Sequence, residues 1–403
     1  MLRPPGSAIT GLTCTRCGAE HDHTVLQGLC TSCGGPLYAR YDMERAGRTL
    51  TPEALAARPR SMWRYAEVLP VEDPAFRLNL GEGDTPLFYS RRIGPDLGLD
   101  RLLLKDEGLN PTGSFKARGL CMAVSRAAEL GAGAFSIPTA GNAGGALSAY
   151  AAAAGLPAYI FMPSDTPSRF VEECRMYGAE VTLVEGFITD AGRRAREELE
   201  GSDRFDVSTL KEPYRVEGKK IMGYELFEQL GGELPDVIVY PTGGGTGLVG
   251  MWKAFGEMEE LGWIGGERPR MVSVQASGCA PVVKAFHAGD EDYEAWPDPR
   301  TMAMGLRVPA AVGDVEILKA LRGSGGTALS VDEDEILDGV LELGRREGVY
   351  ASPEDGAVVG ALRKLKAEGF LEGDERVVAF LTGHGMKYAE LIQEALRERG
   401  ERM

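Results

Sequence analysis

The chain lacks a basic surplus. Its 403 residues carry 44 lysines and arginines against 60 aspartates and glutamates, a formal net charge of −16. That balance argues against nucleic acid or an anionic membrane as a bulk partner. A local basic pocket survives an acidic average, so the charge says little about any one site. No apolar run approaches the roughly 20 residues that cross a bilayer, and no apolar N-terminal segment of the signal type is visible. A cytoplasmic location is therefore expected. Internal repeats and low-complexity linkers are absent, and so is a disulfide framework. Cys121, Cys174 and Cys279 stand alone among apolar or small neighbours and read as core.

The other four cysteines are organised. Cys14, Cys17, Cys30 and Cys33 form C-x2-C-x12-C-x2-C. Two such knuckles supply four thiolates, the set that closes a tetrahedral zinc shell, so a structural Zn2+ is expected rather than a catalytic one. His21 and His23 lie between the knuckles and read as exposed. The few basic residues nearby, Arg3, Arg16 and Arg40, do not make a nucleic-acid surface.

From about residue 100 the pattern alternates short apolar runs with helical periods. Strands are predicted at 101–105, 134–138, 158–162, 180–184, 236–240, 271–275 and 376–380. Helices are predicted at 116–130, 143–154, 167–177, 190–200, 217–230, 246–258, 333–347, 356–368 and 387–399. Repeated βα units imply α/β architecture with parallel sheets covered on both faces. The predicted divisions are a four-cysteine module at 1–45, an arm and part of a large domain at 46–107, a smaller α/β domain at 108–205, and the rest of the large domain at 206–403.

Chemistry gathers at four strand or turn ends. In Asn110-Pro111-Thr112-Gly113-Ser114-Phe115-Lys116, Pro111 and Gly113 break the chain and Lys116 opens a helix. A helix dipole there disfavours the ammonium form and favours a nucleophilic amine, as a Schiff-base lysine requires. Thr139-Ala140-Gly141-Asn142-Ala143-Gly144-Gly145 presents an amide and free N–H groups beyond a strand; taken alone, Asn142 is equally a helix N-cap. Pro241-Thr242-Gly243-Gly244-Gly245-Thr246-Gly247 suits an anion at a helix entrance. It is no Walker A motif. Gly245–Gly250 matches Gly-x-Gly-x-x-Gly, but the next strand ends at Gln275 without the acidic residue a ribose wants. Thr382-Gly383-His384-Gly385 closes the set, with Thr382 either facing a ring nitrogen or bonding its own backbone.

In this order the four motifs resemble the fold type II pyridoxal-phosphate enzymes, the tryptophan synthase β-like superfamily, from about residue 75 to 390. Gly81–Leu87, Asn110–Lys116, Pro213–Lys219 and Thr382–Gly385 look most like threonine synthases. The resemblance implies two doubly wound open-sheet domains behind an N-terminal zinc ribbon, with a homodimer as the assembly. It implies pyridoxal 5'-phosphate on Lys116, with Asn142 at the 3-hydroxyl oxygen and Thr382 at the ring nitrogen. Gly243, Gly244, Gly245 and Thr246 would hold its phosphate. Thr139 and Arg215 would touch substrate, with Lys211, Lys219 and Lys220 adding positive charge. The implied reaction is loss of γ-phosphate from O-phospho-L-homoserine and addition of water at Cβ, giving L-threonine. Three alternatives stay open: a serine/threonine dehydratase, a phosphoserine β-replacement enzyme of cysteate synthase type, and a cofactor-free binding module. Arg215 could also simply pair with Glu212 or Glu217 at the surface.

Overall fold

The structure, a computed structural model, describes residues 6–401. Three sheets organise it. A small antiparallel sheet in the order Glu20–His21, Ile9–Cys14, Leu37–Tyr41 carries the cysteine knuckles. The largest sheet runs Thr327–Val331, Arg270–Ala276, Val237–Pro241, Val377–Leu381, Leu102–Asp106, all parallel, with Leu87–Tyr89 antiparallel at its edge. A parallel four-stranded sheet runs Glu180–Val184, Ala158–Pro163, Ala134–Pro138, Arg204–Asp206.

Composition explains the two central strands. Val237–Pro241 and Val377–Leu381 are buried at every residue. That is the signature of a parallel strand covered on both faces, which reads as a continuous apolar run rather than an alternation. The fold is therefore the α/β arrangement expected. Several boundaries move. The helix expected from 217 begins at Arg215, and the one expected over 387–399 is a short tight turn followed by Ala389–Glu398. Helices Pro281–Ala288 and Asp314–Gly323 and strand Thr327–Val331 were not legible. The last is a half-buried edge strand that follows Gly323-Ser324-Gly325-Gly326, so neither an apolar run nor clean alternation announces it. No helix among the described residues is long and apolar enough to cross a membrane.

A buried ion network ties the Lys116–Glu129 helix to the large sheet. Arg118 Nε meets Glu107 Oε2 at 2.6 Å and its Nη1 meets Glu225 Oε1 at 2.6 Å. Lys105 Nζ meets Glu225 Oε2 at 2.9 Å. Asn110 Nδ2 donates to Glu107 Oε2 at 2.9 Å. All these charged groups lie out of water, so each depends on its partners.

Candidate active site

The four motifs converge. Phe115 N–H donates to the Thr382 carbonyl at 3.1 Å, and His384 N–H donates to the Gly113 carbonyl at 2.9 Å. Lys116, the first residue of its helix, thereby lies beside the Thr382 turn. One narrow cavity is lined by Phe115, Lys116, Asn142, the loop Gly243–Gly247, Glu354 and Thr382. A wider cleft of about 370 Å³ opens from it, with Lys116, Asn142, Gly244 and Gly305 shared between the two.

Lys116 is pushed down to about 7, first by burial and then by the Arg215 cation, with Glu354 pulling the other way. The sequence points to the helix dipole as the cause; the structure adds loss of hydration and a neighbouring guanidinium. An amine so placed is substantially neutral near pH 7. Its Nζ lies 4.4 Å from the centre of the Phe115 ring.

The glycine loop is built to admit an anion. Gly245 has φ +71°, a left-handed conformation that glycine adopts without strain. Gly243 abuts the Gly305 carbonyl, leaving no room for a Cβ. Gly243, Gly244 and Gly245 point no N–H at another backbone carbonyl, and the Thr246–Glu260 helix begins directly after them. Free donors and a helix N-terminus facing one cavity fit a phosphate.

Asn142 is the first helical residue of Asn142–Ala154, with Gly141 at the cap, so it is not an N-cap. Its Nδ2 donates to Tyr388 Oη at 2.8 Å, while its Oδ1 is buried without a partner. Thr382 N–H donates to Asp355 Oδ1 at 2.5 Å, leaving its hydroxyl at the cavity wall. A cavity with a lysine brought down to about 7, an anion cradle, an amide short of one partner and a hydroxyl fits pyridoxal phosphate.

Thr139 lines the wider cleft, its Oγ1 accepting from Gly141 N–H at 3.2 Å. Arg215 is not among the lining residues of either cavity. It is not at the surface either: it is fully buried, its Nη1 donates to the Val207 carbonyl at 2.7 Å, and its Nε and Nη2 have no partner. Glu212 caps the backbone of Tyr214 and Arg215 instead of exposing an ion pair. Lys220 is spoken for by Glu217 at 2.5 Å and Glu257 at 2.8 Å.

Sequence reasoning missed Glu354 and Tyr388. Tyr388 Oη donates to Glu354 Oε1 at 3.2 Å, and Glu354 also accepts from Gly305 N–H at 2.6 Å. Burial pushes the Glu354 carboxyl up. The available signal was Ser352-Pro353-Glu354-Asp355, a helix opening with two acids, both of which prove buried.

The four cysteine sulfurs lie within 4.8 Å of one another. Cys14 and Cys33 are 3.4 Å apart and Cys17 and Cys30 3.7 Å. Zinc–sulfur bonds near 2.3 Å set tetrahedral sulfur edges of about 3.8 Å, so the spacing fits. His21 and His23 are half-buried rather than exposed, and His21 Nε2 lies 3.3 Å from Cys30 Sγ.

Comparison with known proteins agrees with the geometry. The family described as pyridoxal-phosphate dependent enzyme matches residues 78–383. The chain is 34% identical over 375 residues to a threonine synthase of Methanocaldococcus jannaschii, covering 93% of this chain and 92% of that one. It is 36% identical over 388 residues to a threonine synthase of Methanosarcina acetivorans, covering 96% and 94%. Among solved structures, maize serine racemase shares the fold at 20% identity, with a TM-score of 0.66 over 78% of this chain and 92% of that chain. The chain belongs to the pyridoxal-phosphate-dependent enzymes and, within them, to the threonine synthase family.

Proposed function

We propose that this protein converts O-phospho-L-homoserine and water into L-threonine and phosphate, with pyridoxal phosphate carried on Lys116. The observation that carries the substrate class is the lining of the wider cleft. Besides Lys116 it includes Arg196, Lys211 and Arg307 and, among the described residues, not one aspartate or glutamate, in a chain of net charge −16. A dianionic substrate leaving water for a crevice requires such an excess of cations.

The bound cofactor supplies an electron sink for negative charge at Cα. The chain does the rest. Gly243, Gly244, Gly245 and Thr246 hold the cofactor's phosphate, Asn142 its 3-hydroxyl oxygen, and Thr382 its ring nitrogen. Lys116, held near neutrality, takes the proton at Cα. Thr139 orients the substrate on the cleft wall. Lys211, which makes no ion pair among the described residues, and Arg307, paired to Asp165 at 3.1 Å, stand where a γ-phosphate enters. Arg215, buried outside both linings, keeps two guanidinium nitrogens without a partner among the described residues. The cysteine module holds one structural Zn2+.

Phosphohomoserine, threonine, serine and phosphoserine offered separately, with product analysis, test this reading. Threonine and inorganic phosphate from the first is the expected result. Rapid deamination of threonine with phosphohomoserine ignored would replace it with a dehydratase. Arg215 lines neither cavity, so a contact to the substrate's phosphate requires its guanidinium to turn into the cleft; on that reading Arg215→Ala should lower kcat/KM for phosphohomoserine by about 30- to 1000-fold, the loss of a charge-assisted contact, with the visible spectrum retained.

A further inference from the structure

Lys219 and Lys220 are adjacent and equally buried, yet they live differently. Lys220 sits between two carboxylates. Among the described residues no carboxylate lies within ion-pair distance of Lys219. Its Nζ donates to Thr246 Oγ1 at 2.6 Å and lies 4.6 Å from the centre of the Phe115 ring. Gly119 makes the path: a Cβ there would come within 2.9 Å of Lys219 Cε. So the Lys116 helix carries a glycine where the lysine stem crosses it, and the stem delivers its nitrogen to the first residue of the phosphate-loop helix.

The local charge is unbalanced. Lys219 and Arg215 are fully buried, and Lys116 lies close enough to depress Lys219. Burial comes first in pushing Lys219 down, then Lys116 and Arg215; only Glu212 opposes them. Glu212 is itself pushed up to about 7 by burial, so its negative charge is incomplete. A buried ammonium without a carboxylate either sheds its proton or takes an anion. The neighbouring surface shaped for an anion is the Gly243–Thr246 cradle, whose Thr246 hydroxyl Lys219 already touches.

Resting on the cofactor assignment above, we propose that Lys219 is the cation of the cofactor-phosphate site. It places a positive charge beside a cradle otherwise made of neutral N–H and hydroxyl donors, and it serves the cofactor rather than the substrate. Lys116 holds the cofactor's aldehyde carbon; Lys219 holds the charge at its other end.

Phosphate dependence distinguishes this from a packing role. Full-length protein freed of cofactor is titrated with pyridoxal phosphate and, separately, with pyridoxal, which has the aldehyde and ring but no phosphate. Binding is read from the visible absorbance. Lys219→Met keeps the stem and removes the charge. It should weaken pyridoxal phosphate by about 10- to 100-fold, the range for a hydrogen bond to a charged group, and leave pyridoxal within about threefold of wild type. Lys219→Gln, which can still reach Thr246 without charge, should show the same selective loss and serves if the methionine variant does not fold. Equal weakening of both ligands means a structural role and overturns the proposal. Unchanged pyridoxal phosphate affinity overturns it while leaving the cofactor assignment intact. A wild-type protein that takes up neither ligand overturns both.

Discussion

At the scale of single residues, Lys116 is where environment sets reactivity. A lysine ordinarily titrates near 10.4, and this one is brought to about 7 by burial and then by Arg215. Only the neutral amine attacks an aldehyde, so the sign is fixed. Capture of pyridoxal phosphate by cofactor-free protein should be fastest above pH 7 and fall about tenfold per unit below it, as the ammonium form takes over. Stopped-flow growth of the visible band measures this. Removing Arg215 takes away a neighbouring cation and lets the Lys116 pKa rise, so the Arg215→Ala profile should move to higher pH. A profile that stays in place would mean that Arg215 contributes nothing to the amine's activation. Lys116→Ala should lose the covalent band and nearly all turnover while the fold persists, because the helix it opens is anchored by other residues.

That anchoring belongs to the scale of elements. Arg118, two residues along, is held by Glu107 from the end of the Leu102–Asp106 strand and by Glu225 from the Arg215–Gln229 helix. Arg118→Met strands Glu107 out of water without a cation and leaves Glu225 with Lys105 alone. The cost should be about 3–5 kcal/mol, the range for breaking a buried pair from one side. Equilibrium unfolding in denaturant tests it, and a midpoint equal to wild type would show that the network carries no net stability. The elements themselves were legible where their physics is local. The strands expected at 236–240 and 376–380 read from apolar runs alone and form at Val237–Pro241 and Val377–Leu381, and Gly155 and Gly178 marked the ends of the helices expected at 143–154 and 167–177. The site loops were legible because glycine, proline and a helix-opening lysine break periodicity in a way that chemistry explains. What was not legible depends on contacts distant in sequence. Asn142 meets Tyr388 across 246 positions, and Glu354 joins the cavity only because its helix packs behind the Thr382 turn. The depth of Arg215 was hidden for the same reason: nothing in Pro213–Lys219 says that the helix is covered on all sides.

At the scale of the whole molecule, the cysteine module matters through what it touches. Arg16, between its first two cysteines, donates to the Val312 carbonyl at 3.0 Å and to Asp314 Oδ1 at 2.7 Å. Thr15 donates to Glu316. The segment so held, Val308 to Val312, is one wall of the wider cleft, the same wall that carries Arg307. On the other side Tyr41 Oη donates to Glu217 Oε2 at 2.9 Å, reaching the Arg215–Gln229 helix. A module of about 45 residues is too small to be stable on its core alone, and a four-thiolate zinc site contributes folding free energy of about 10–16 kcal/mol in small modules. Losing the metal should therefore unfold the module and free the cleft wall, while the cofactor cavity, built from the two parallel sheets, stays formed. Elemental analysis of protein purified under reducing conditions without chelator should find one zinc per chain. Cys14→Ser or Cys30→Ser should release it. In those variants the visible cofactor band should persist, while KM for phosphohomoserine rises several-fold more than kcat falls. The split is the informative part, because a module that merely aided expression would leave KM alone, and one that shaped the cofactor cavity would bleach the band. Finding no metal in wild-type protein would remove the premise.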